Sequence, residues 1–293
     1  MSLVRLPMPD EFSFDLALTF LRRSPRELLH TLDGDKVYKA LRIDNTEILI
    51  SIHQDEKNLL VKFLNTKPSA ALKAGALEYI REWFDLDTNL KPFYAMAKKD
   101  ELLSPLVKAY HGYRIVGQPD LFESLVWAVL GQQINLAFAY TLKQRFVEKF
   151  GESQEYKNQK YYVFPKPEVV ALLTDDDLLP LQFSRQKSKY VVLIAQAFMN
   201  REVSKEKLRG LSLVDAKEKL MKIKGVGNWT ANYALMKTFR YPDAFPLEDV
   251  GVHNAIKNQM GLKSKPSLDK VKKIFKKYKG WEAYATLYLW KSL

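Results

Sequence analysis

Cysteine is absent from the 293-residue chain. That absence excludes disulfides, thiolate zinc sites, iron–sulfur clusters and a thiol nucleophile, and it suits a reducing cytoplasm. Histidine is scarce. The four residues His30, His53, His111 and His253 stand far apart, so no helix-borne zinc site is expected. A secretory leader is not expected either, because Asp10, Glu11 and Asp15 fall where a signal peptide needs an apolar core. One uncharged stretch, Ser124 to Leu142, carries Gly131-Gln132-Gln133-Ile134-Asn135 at its middle. Polar amides are costly at a bilayer centre, so a pair of buried helices with a polar joint is expected there, not a membrane span.

Positive charge is abundant. Lys and Arg number 46 against 34 acidic residues, a net charge of +12. That balance points to a polyanionic partner, nucleic acid foremost. Hydrophobic residues at 47% and charged residues at 27% are the proportions of a globular protein. The length suggests about two domains.

The first third reads as a small antiparallel sheet with one or two helices. Phe12, Phe14, Leu16, Leu18 and Phe20 alternate at period two, which predicts a strand. Val37–Ile43, Glu47–His53 and Leu59–Leu64 are further strands, separated by the turn signals Asp33-Gly34-Asp35 and Asp44-Asn45. A helix is expected over Ser69–Phe84. Beyond Pro92 the pattern is almost entirely helical, with short loops. Asp120 and Glu123 read as a capping box, and Gly151 ends a helix that begins near Leu136. The last segment carries helices near 249–260, 267–278 and 280–291.

The most specific feature is Lys222-Ile223-Lys224-Gly225-Val226-Gly227-Asn228-Trp229-Thr230, two helices joined by a turn with two glycines. The second helix opens with free amides, a phosphate site that reads no base. Read alone, the turn is equally a helix C-cap that binds nothing. Asp249, after Phe245-Pro246-Leu247-Glu248, is likewise explained by N-capping the next helix. Its adjacent Glu248 is assigned no chemistry.

Taken in order, Gly225-Val226-Gly227, Trp229-Thr230-Ala231-Asn232-Tyr233, Pro246 and Asp249 resemble the helix-hairpin-helix Gly/Pro/Asp (HhH-GPD) superfamily of DNA glycosylases. Leu130-Gly131-Gln132-Gln133 matches a second motif of that family, and Tyr284-Ala285 with Leu289-Trp290 a third. The 3-methyladenine DNA glycosylase II branch is the nearest. The resemblance implies an α+β fold: an N-terminal antiparallel sheet domain over 1–92 with a TBP-like layout, then an all-α core of two lobes. One lobe is 118–240, containing the hairpin; the other is 93–117 plus 241–293.

Site roles follow from the same resemblance. Asp249 is the catalytic carboxylate that stabilises an oxocarbenium-like sugar. Trp229, Tyr233 and Trp290, with Phe20 from the first domain, line the pocket for a flipped cationic base. Gln133, with Gln132 beside it, plugs the duplex, where relatives often carry leucine. Gly225, Val226, Gly227, Asn228, Thr230, Lys222 and Lys224 hold phosphate. No cofactor is required. A monovalent cation, Na+ or K+, at the carbonyls of Ile223 and Val226 is compatible with the family. Relatives with lyase activity place a lysine where Trp229 stands, so a monofunctional hydrolase of alkylated purines is expected. The expected partner is double-stranded DNA bound with little regard to sequence, by a monomer with no membrane role. The expected location is cytoplasmic, nucleoid-associated in a bacterium. The alternatives are a glycosylase for oxidised or deaminated purines, and a non-catalytic DNA-binding module. Two lysine groups, nine residues between Lys257 and Lys279 and the smaller set Arg185, Lys187 and Lys189, are expected to attract phosphate.

Overall fold

The computed structural model describes residues 3–293. Five strands, β1 (Leu3–Pro7), β2 (Thr31–Asp33), β3 (Lys36–Ile43), β4 (Thr46–Gln54) and β5 (Asn58–Phe63), form an antiparallel sheet in the order β1-β5-β4-β3-β2. Helices of eight residues or more are α1 (Phe14–Leu21), α2 (Ala70–Phe84), α3 (Leu121–Gly131), α4 (Leu136–Phe150), α5 (Arg185–Met199), α6 (Leu213–Met221), α7 (Asn228–Phe239), α8 (Val250–Gln259), α9 (Leu268–Phe275) and α10 (Glu282–Lys291). The architecture is α+β, a sheet domain followed by a helical core.

Three apolar clusters organise it. The first packs Phe14 and Leu18 of α1, and Ile80 and Phe84 of α2, against Ile48, Ile50, Ile52 and Val61 of the sheet. The second joins α3, α4, α5, α6 and α7 through Leu125, Phe146, Ile194, Leu220 and Leu235. The third draws Phe93, Leu103 and Ile115 together with Val252, Phe275, Tyr284 and Tyr288. Chain segments far apart in sequence therefore share one core. Among the described residues no helix is long and apolar enough to cross a membrane.

Two expectations fail here. Residues 14–21 are helix, not strand. The residues they bury are Phe14, Ala17, Leu18 and Leu21, a spacing of three and four, and the Ser13 hydroxyl caps the first turn by accepting from the Leu16 amide. The alternation of Phe12 to Phe20 was coincidental with that stripe. Beyond Pro92 the chain is not only helices with short loops. Gln154 and its neighbours form a hairpin, β6 (Ser153–Tyr156) with β7 (Gln159–Tyr162), turning on Lys157 and Asn158, both at positive φ. It packs Tyr161 against Ala40 and Leu49 of the main sheet.

The capping box at α3 is half formed. Asp120 accepts from the Phe122 and Glu123 amides, but the Glu123 carboxylate turns to Lys143. Lys143 Nζ lies 3.0 Å from Glu27 and 3.4 Å from Glu123, a buried triad where the sheet domain meets α3 and α4. Burial alone would raise the Glu27 carboxyl; Lys143, His30 and the Leu29 amide overturn that and hold it at about 2. Burial pushes the neighbouring His30 down to about 4.

Both shifts make the fold acid-sensitive. The unfolded chain protonates His30 near its ordinary pKa while the native chain resists to about 4, and Glu27 continues the trend from its ordinary value down to about 2. Stability is therefore lost as pH falls, first through the histidine window and then through the carboxylate window. Buried Asp85, pushed up to about 6, opposes this in the same window, so urea titrations of wild type and His30→Gln should diverge by on the order of 2 kcal/mol between about pH 7 and pH 4. His30→Gln should flatten the upper part of that slope and leave the lower part.

Candidate active site

The glycine turn joins α6 to α7, and the two glycines do different work. Gly225 sits at φ +97, and a Cβ there would fall 2.3 Å from the Tyr190 ring of α5. It has both a backbone and a packing reason to be glycine. Gly227 has an ordinary φ and open space around it. It leaves room for a partner to approach the start of α7. No side chain caps that helix, so its first amides keep their donors free.

The remaining hairpin residues divide. Lys222 and Lys224 are exposed. The Val226 amide donates to the Ile223 carbonyl at 3.0 Å, closing the turn, so it is not available to phosphate. Thr230 is buried and its hydroxyl accepts from Gln132 Nε2 at 3.0 Å, which leaves its backbone amide as the group that can face a phosphate. Asn228 donates from Nδ2 to both oxygens of Glu248, at 3.0 and 3.2 Å. For a monovalent cation, Ile223 offers a carbonyl already accepting one bond, and the Val226 carbonyl has no donor among the described hydrogen bonds.

Asp249 is the N-cap of α8, and it is more than a cap. Its Oδ1 accepts from the Val252 amide at 3.0 Å and from Trp290 Nε1 at 2.8 Å. Its Oδ2 accepts from Trp229 Nε1 at 3.0 Å. Three donors from α7, α8 and α10 thus fix one half-buried carboxylate. An ionised carboxylate has about four lone-pair sites, so one on Oδ2 stays open. The loop before it is set by buried Asn232, whose Oδ1 accepts from the Phe245 amide at 3.1 Å.

An aromatic wall runs away from Asp249. The rings of Trp229 and Tyr233 stack at 5.2 Å, and Trp290 lies 6.4 Å from Tyr233. Trp127 Nε1 donates to the Tyr233 hydroxyl at 3.0 Å, and Trp127 packs on Tyr140 at 4.8 Å. The structure therefore brings Asp249, Trp229, Tyr233 and Trp290 together as expected, and adds Trp127 and Tyr140. Those two read as core residues in sequence, and nothing in their spacing marks them.

Phe20 is the exception. Its ring carries the Arg23 guanidinium at 4.0 Å and the Lys237 ammonium at 4.8 Å, so its surface is covered by cations instead of open to a base. Arg23 also donates to the Tyr140 hydroxyl. Lys237 is buried, donates to the Val116 carbonyl, and is held well below the ordinary lysine range by that burial. A cavity of about 40 Å³ lies among Phe20, Arg23, Trp127, Tyr140 and Lys237, behind the aromatic wall.

The two glutamines separate as well. Gln132 turns inward, donating to the Gly225 carbonyl at 3.2 Å and to Thr230. Gln133 is exposed at φ +57, at the tip of the joint between α3 and α4. Of the lysine groups, α9 presents Lys270, Lys272 and Lys273 to solvent over buried Val271 and Phe275, whereas Lys187 is buried and leaves its expected cluster. Leu268, expected in the apolar stripe of α9, is 45% exposed. Among the described residues no three His, Asp or Glu side chains converge as a metal site.

The model of the HhH-GPD superfamily base excision DNA repair proteins matches residues 126–280, and that of the 8-oxoguanine DNA glycosylase N-terminal domain matches residues 27–125. A DNA-3-methyladenine glycosylase of Bacillus subtilis is 42% identical over 98% of this chain and 96% of its own length. Among solved structures, the 3-methyladenine DNA-glycosylase from Archaeoglobus fulgidus aligns with a TM-score of 0.84 at 23% identity, over 99% of this chain and 98% of that one. An 8-oxoguanine glycosylase/lyase of Clostridium acetobutylicum, bound to double-stranded DNA, aligns with a TM-score of 0.75 at 19% identity, over 99% and 96%. The last two likenesses concern the fold.

Gly251 is a site residue that the sequence reading missed. A Cβ there would fall 2.9 Å from Asp249 Oδ1 and 3.1 Å from Trp290 Nε1. Gly251→Ala should displace the indole N–H resonance of Trp290 in the NMR spectrum. The hairpin glycines should diverge in urea denaturation. Gly225→Ala is expected to cost about 2 kcal/mol or more from its left-handed backbone alone, and Gly227→Ala, at the N-cap of α7, about 0.5–1 kcal/mol.

Proposed function

Because the chain belongs to the HhH-GPD superfamily of base excision DNA repair proteins, we propose that it is a monofunctional DNA glycosylase that flips out and hydrolytically releases alkylated purines of the 3-methyladenine and 7-methylguanine type. The observation that carries this reading is the Asp249 carboxylate, held by two indole N–H groups and a helix amide beside an aromatic wall. The name of the Bacillus subtilis relative supports the substrate class.

The chemistry follows from the arrangement. A purine alkylated at N3 or N7 is cationic, so stacking against Trp229, Tyr233 and Trp290 is reinforced by cation–π attraction, about 0.5–2 kcal/mol per contact. The charged base is already a good leaving group. As its bond to C1′ lengthens, positive charge develops on the sugar, and the fixed carboxylate of Asp249 stabilises it without reorganising. The open lone pair on Oδ2 is suited to take a proton from the incoming water. The product is free base and an abasic site.

The first amides of α7, with Lys222 and Lys224, would hold the backbone phosphates near the lesion. Na+ or K+ at the Ile223 and Val226 carbonyls would supply one further positive charge there. Gln133 would fill the gap left by the flipped nucleotide. The absence of lyase chemistry rests on Trp229, which offers no amine, and on Lys237, whose amine is engaged by Val116 inside the protein. A monomer acting on double-stranded DNA in the cytoplasm, at the nucleoid in a bacterium, belongs to the same proposal. Excision of oxidised or deaminated purines is the second reading. Arg23 favours it, since a guanidinium beside the pocket suits the carbonyl edge of a neutral lesion better than a cationic ring.

One duplex assay tests both. Wild type should release free base from duplex containing 7-methylguanine, and strands should break only after hot alkali. Asp249→Asn should lower single-turnover release by about a thousandfold or more. Release from hypoxanthine or 8-oxoguanine duplexes exceeding that from methylated ones would reverse the order of the two readings. A nicked product before alkali, or an adduct trapped by borohydride, would refute the monofunctional assignment.

A further inference from the structure

Lys187 was expected on the surface, in a phosphate-attracting cluster with Arg185 and Lys189, and it lies inside. Its side chain leaves α5 and ends among carbonyls at the C-terminus of α3. Nζ donates to Val129 at 2.9 Å, Leu130 at 2.9 Å and Gln132 at 2.6 Å. These are carbonyls of a helix end, where the backbone dipoles favour a cation, and Val129 accepts in addition from the Gln132 amide at 3.2 Å. No carboxylate shares the site, and burial brings the ammonium down to about 8. A buried lysine whose partners are all backbone carbonyls holds a backbone in place.

The backbone it holds is the approach to Gln133. Gln132 is clamped twice, at its carbonyl by Lys187 and at its side chain by the Gly225 carbonyl and Thr230. On the far side, Asn135 caps α4 by accepting from the Phe138 amide at 2.9 Å. Between those anchors Gln133 is exposed in the left-handed region, a conformation costly for a residue other than glycine unless its surroundings enforce it. The same helix α5 also supports the glycine turn, because Tyr190, one turn after Lys187, presses its ring against Gly225.

We propose that Lys187 is a positioning residue for nucleotide flipping: its ammonium locks the Gln133 loop in register with the phosphate-gripping turn, so that holding the backbone and filling the gap occur together. The proposal rests on the reading of Gln133 as the plug and the hairpin as the phosphate site. Lys187 touches neither DNA nor the reacting atoms. Its contribution is confined to substrates whose base must be extracted from a stacked, paired duplex.

Two measurements on Lys187→Met decide it. Without DNA, amide hydrogen exchange over residues 131–135 should rise, while exchange in α8 and α10 stays as in wild type. With DNA, single-turnover release of 7-methylguanine from a paired duplex should fall about tenfold or more, since flipping a paired base costs a few kcal/mol. Release of the same base from an unpaired bulge should stay within about twofold. A 2-aminopurine placed beside the lesion should report correspondingly weaker unstacking. Lys187→Gln, which keeps an N–H donor, should fall between Met and wild type, and it serves in place of Met should that variant fail to fold. Unchanged loop exchange, equal losses on paired and unpaired lesions, or no loss on the paired duplex would each overturn the proposal. Wild type inactive on every lesion would instead count against the proposed function, and the exchange measurement would still decide whether Lys187 orders the loop.

Discussion

The structure depends on holding one carboxylate still. Asp249 accepts three N–H bonds, from Trp229 on α7, the Val252 amide of α8 and Trp290 on α10. Those donors are separated by up to 61 positions of chain, so their meeting requires the hairpin lobe and the C-terminal lobe to be packed in one arrangement. Met236, on the same helix as Trp229, lies in the C-terminal core, and Asn232 ties that helix to the loop before Asp249. The helix whose first amides are left uncapped therefore also carries the aromatic wall and braces the carboxylate. Gly251 completes the fit by leaving room for the Trp290 indole. N-capping and charge placement coincide here: the bond to Val252 that satisfies a helix end also orients Oδ1.

A second constraint is the rigidity of the joint between α3 and α4. Gln132 bonds the turn between α6 and α7, and Lys187 bonds the end of α3. Both groups that would grip DNA are thereby referred to α5. Such coupling is what concerted action needs. A phosphate site that could drift relative to the plug would spend binding energy on DNA without directing it at one nucleotide.

How far the site was legible in the sequence varies by residue, and each difference has a physical reason. Asp249, Trp229, Tyr233 and Trp290 could be found because their order and spacing match a family pattern. The glycine turn was visible, but not the division of labour within it, since the clash that requires glycine at 225 comes from Tyr190, 35 positions earlier. Gln132 and Gln133 are chemically identical neighbours; only the left-handed backbone at Gln133 points one out and the other in. Trp127, Tyr140 and Arg23 meet the site through contacts over a hundred residues long, for which local periodicity has no signal. The fold followed the same division. The strands β3, β4 and β5 and the helices α2 and α4 were clear from alternation and from turn and helix-end residues. The helix at 14–21 was misread because every second residue there is apolar while the buried ones are spaced by three and four. The hairpin β6–β7 was missed because Lys157 is an unusual occupant of a left-handed turn.

Net charge proves a blunter guide than it first looks. The excess of Lys and Arg pointed correctly toward a nucleic-acid partner, yet four lysines that contribute to it are not on the surface. Lys39, Lys143, Lys187 and Lys237 are all buried, each donating to a carbonyl or a carboxylate inside the protein. They cannot release counterions from DNA. The field that DNA would meet comes from exposed groups such as Lys222 and Lys224 beside the glycine turn and Lys270, Lys272 and Lys273 on α9. The interior lysines act at short range instead. Lys39 bonds the Leu29 carbonyl within the sheet domain, Lys143 holds that domain against the helical core through Glu27 and Glu123, Lys237 ties α7 to the Val116 carbonyl, and Lys187 anchors the end of α3. A cation costs free energy to bury, so each of these positions is one where the fold needs a long, multiply donating side chain to join elements that apolar contact alone would leave free to slide.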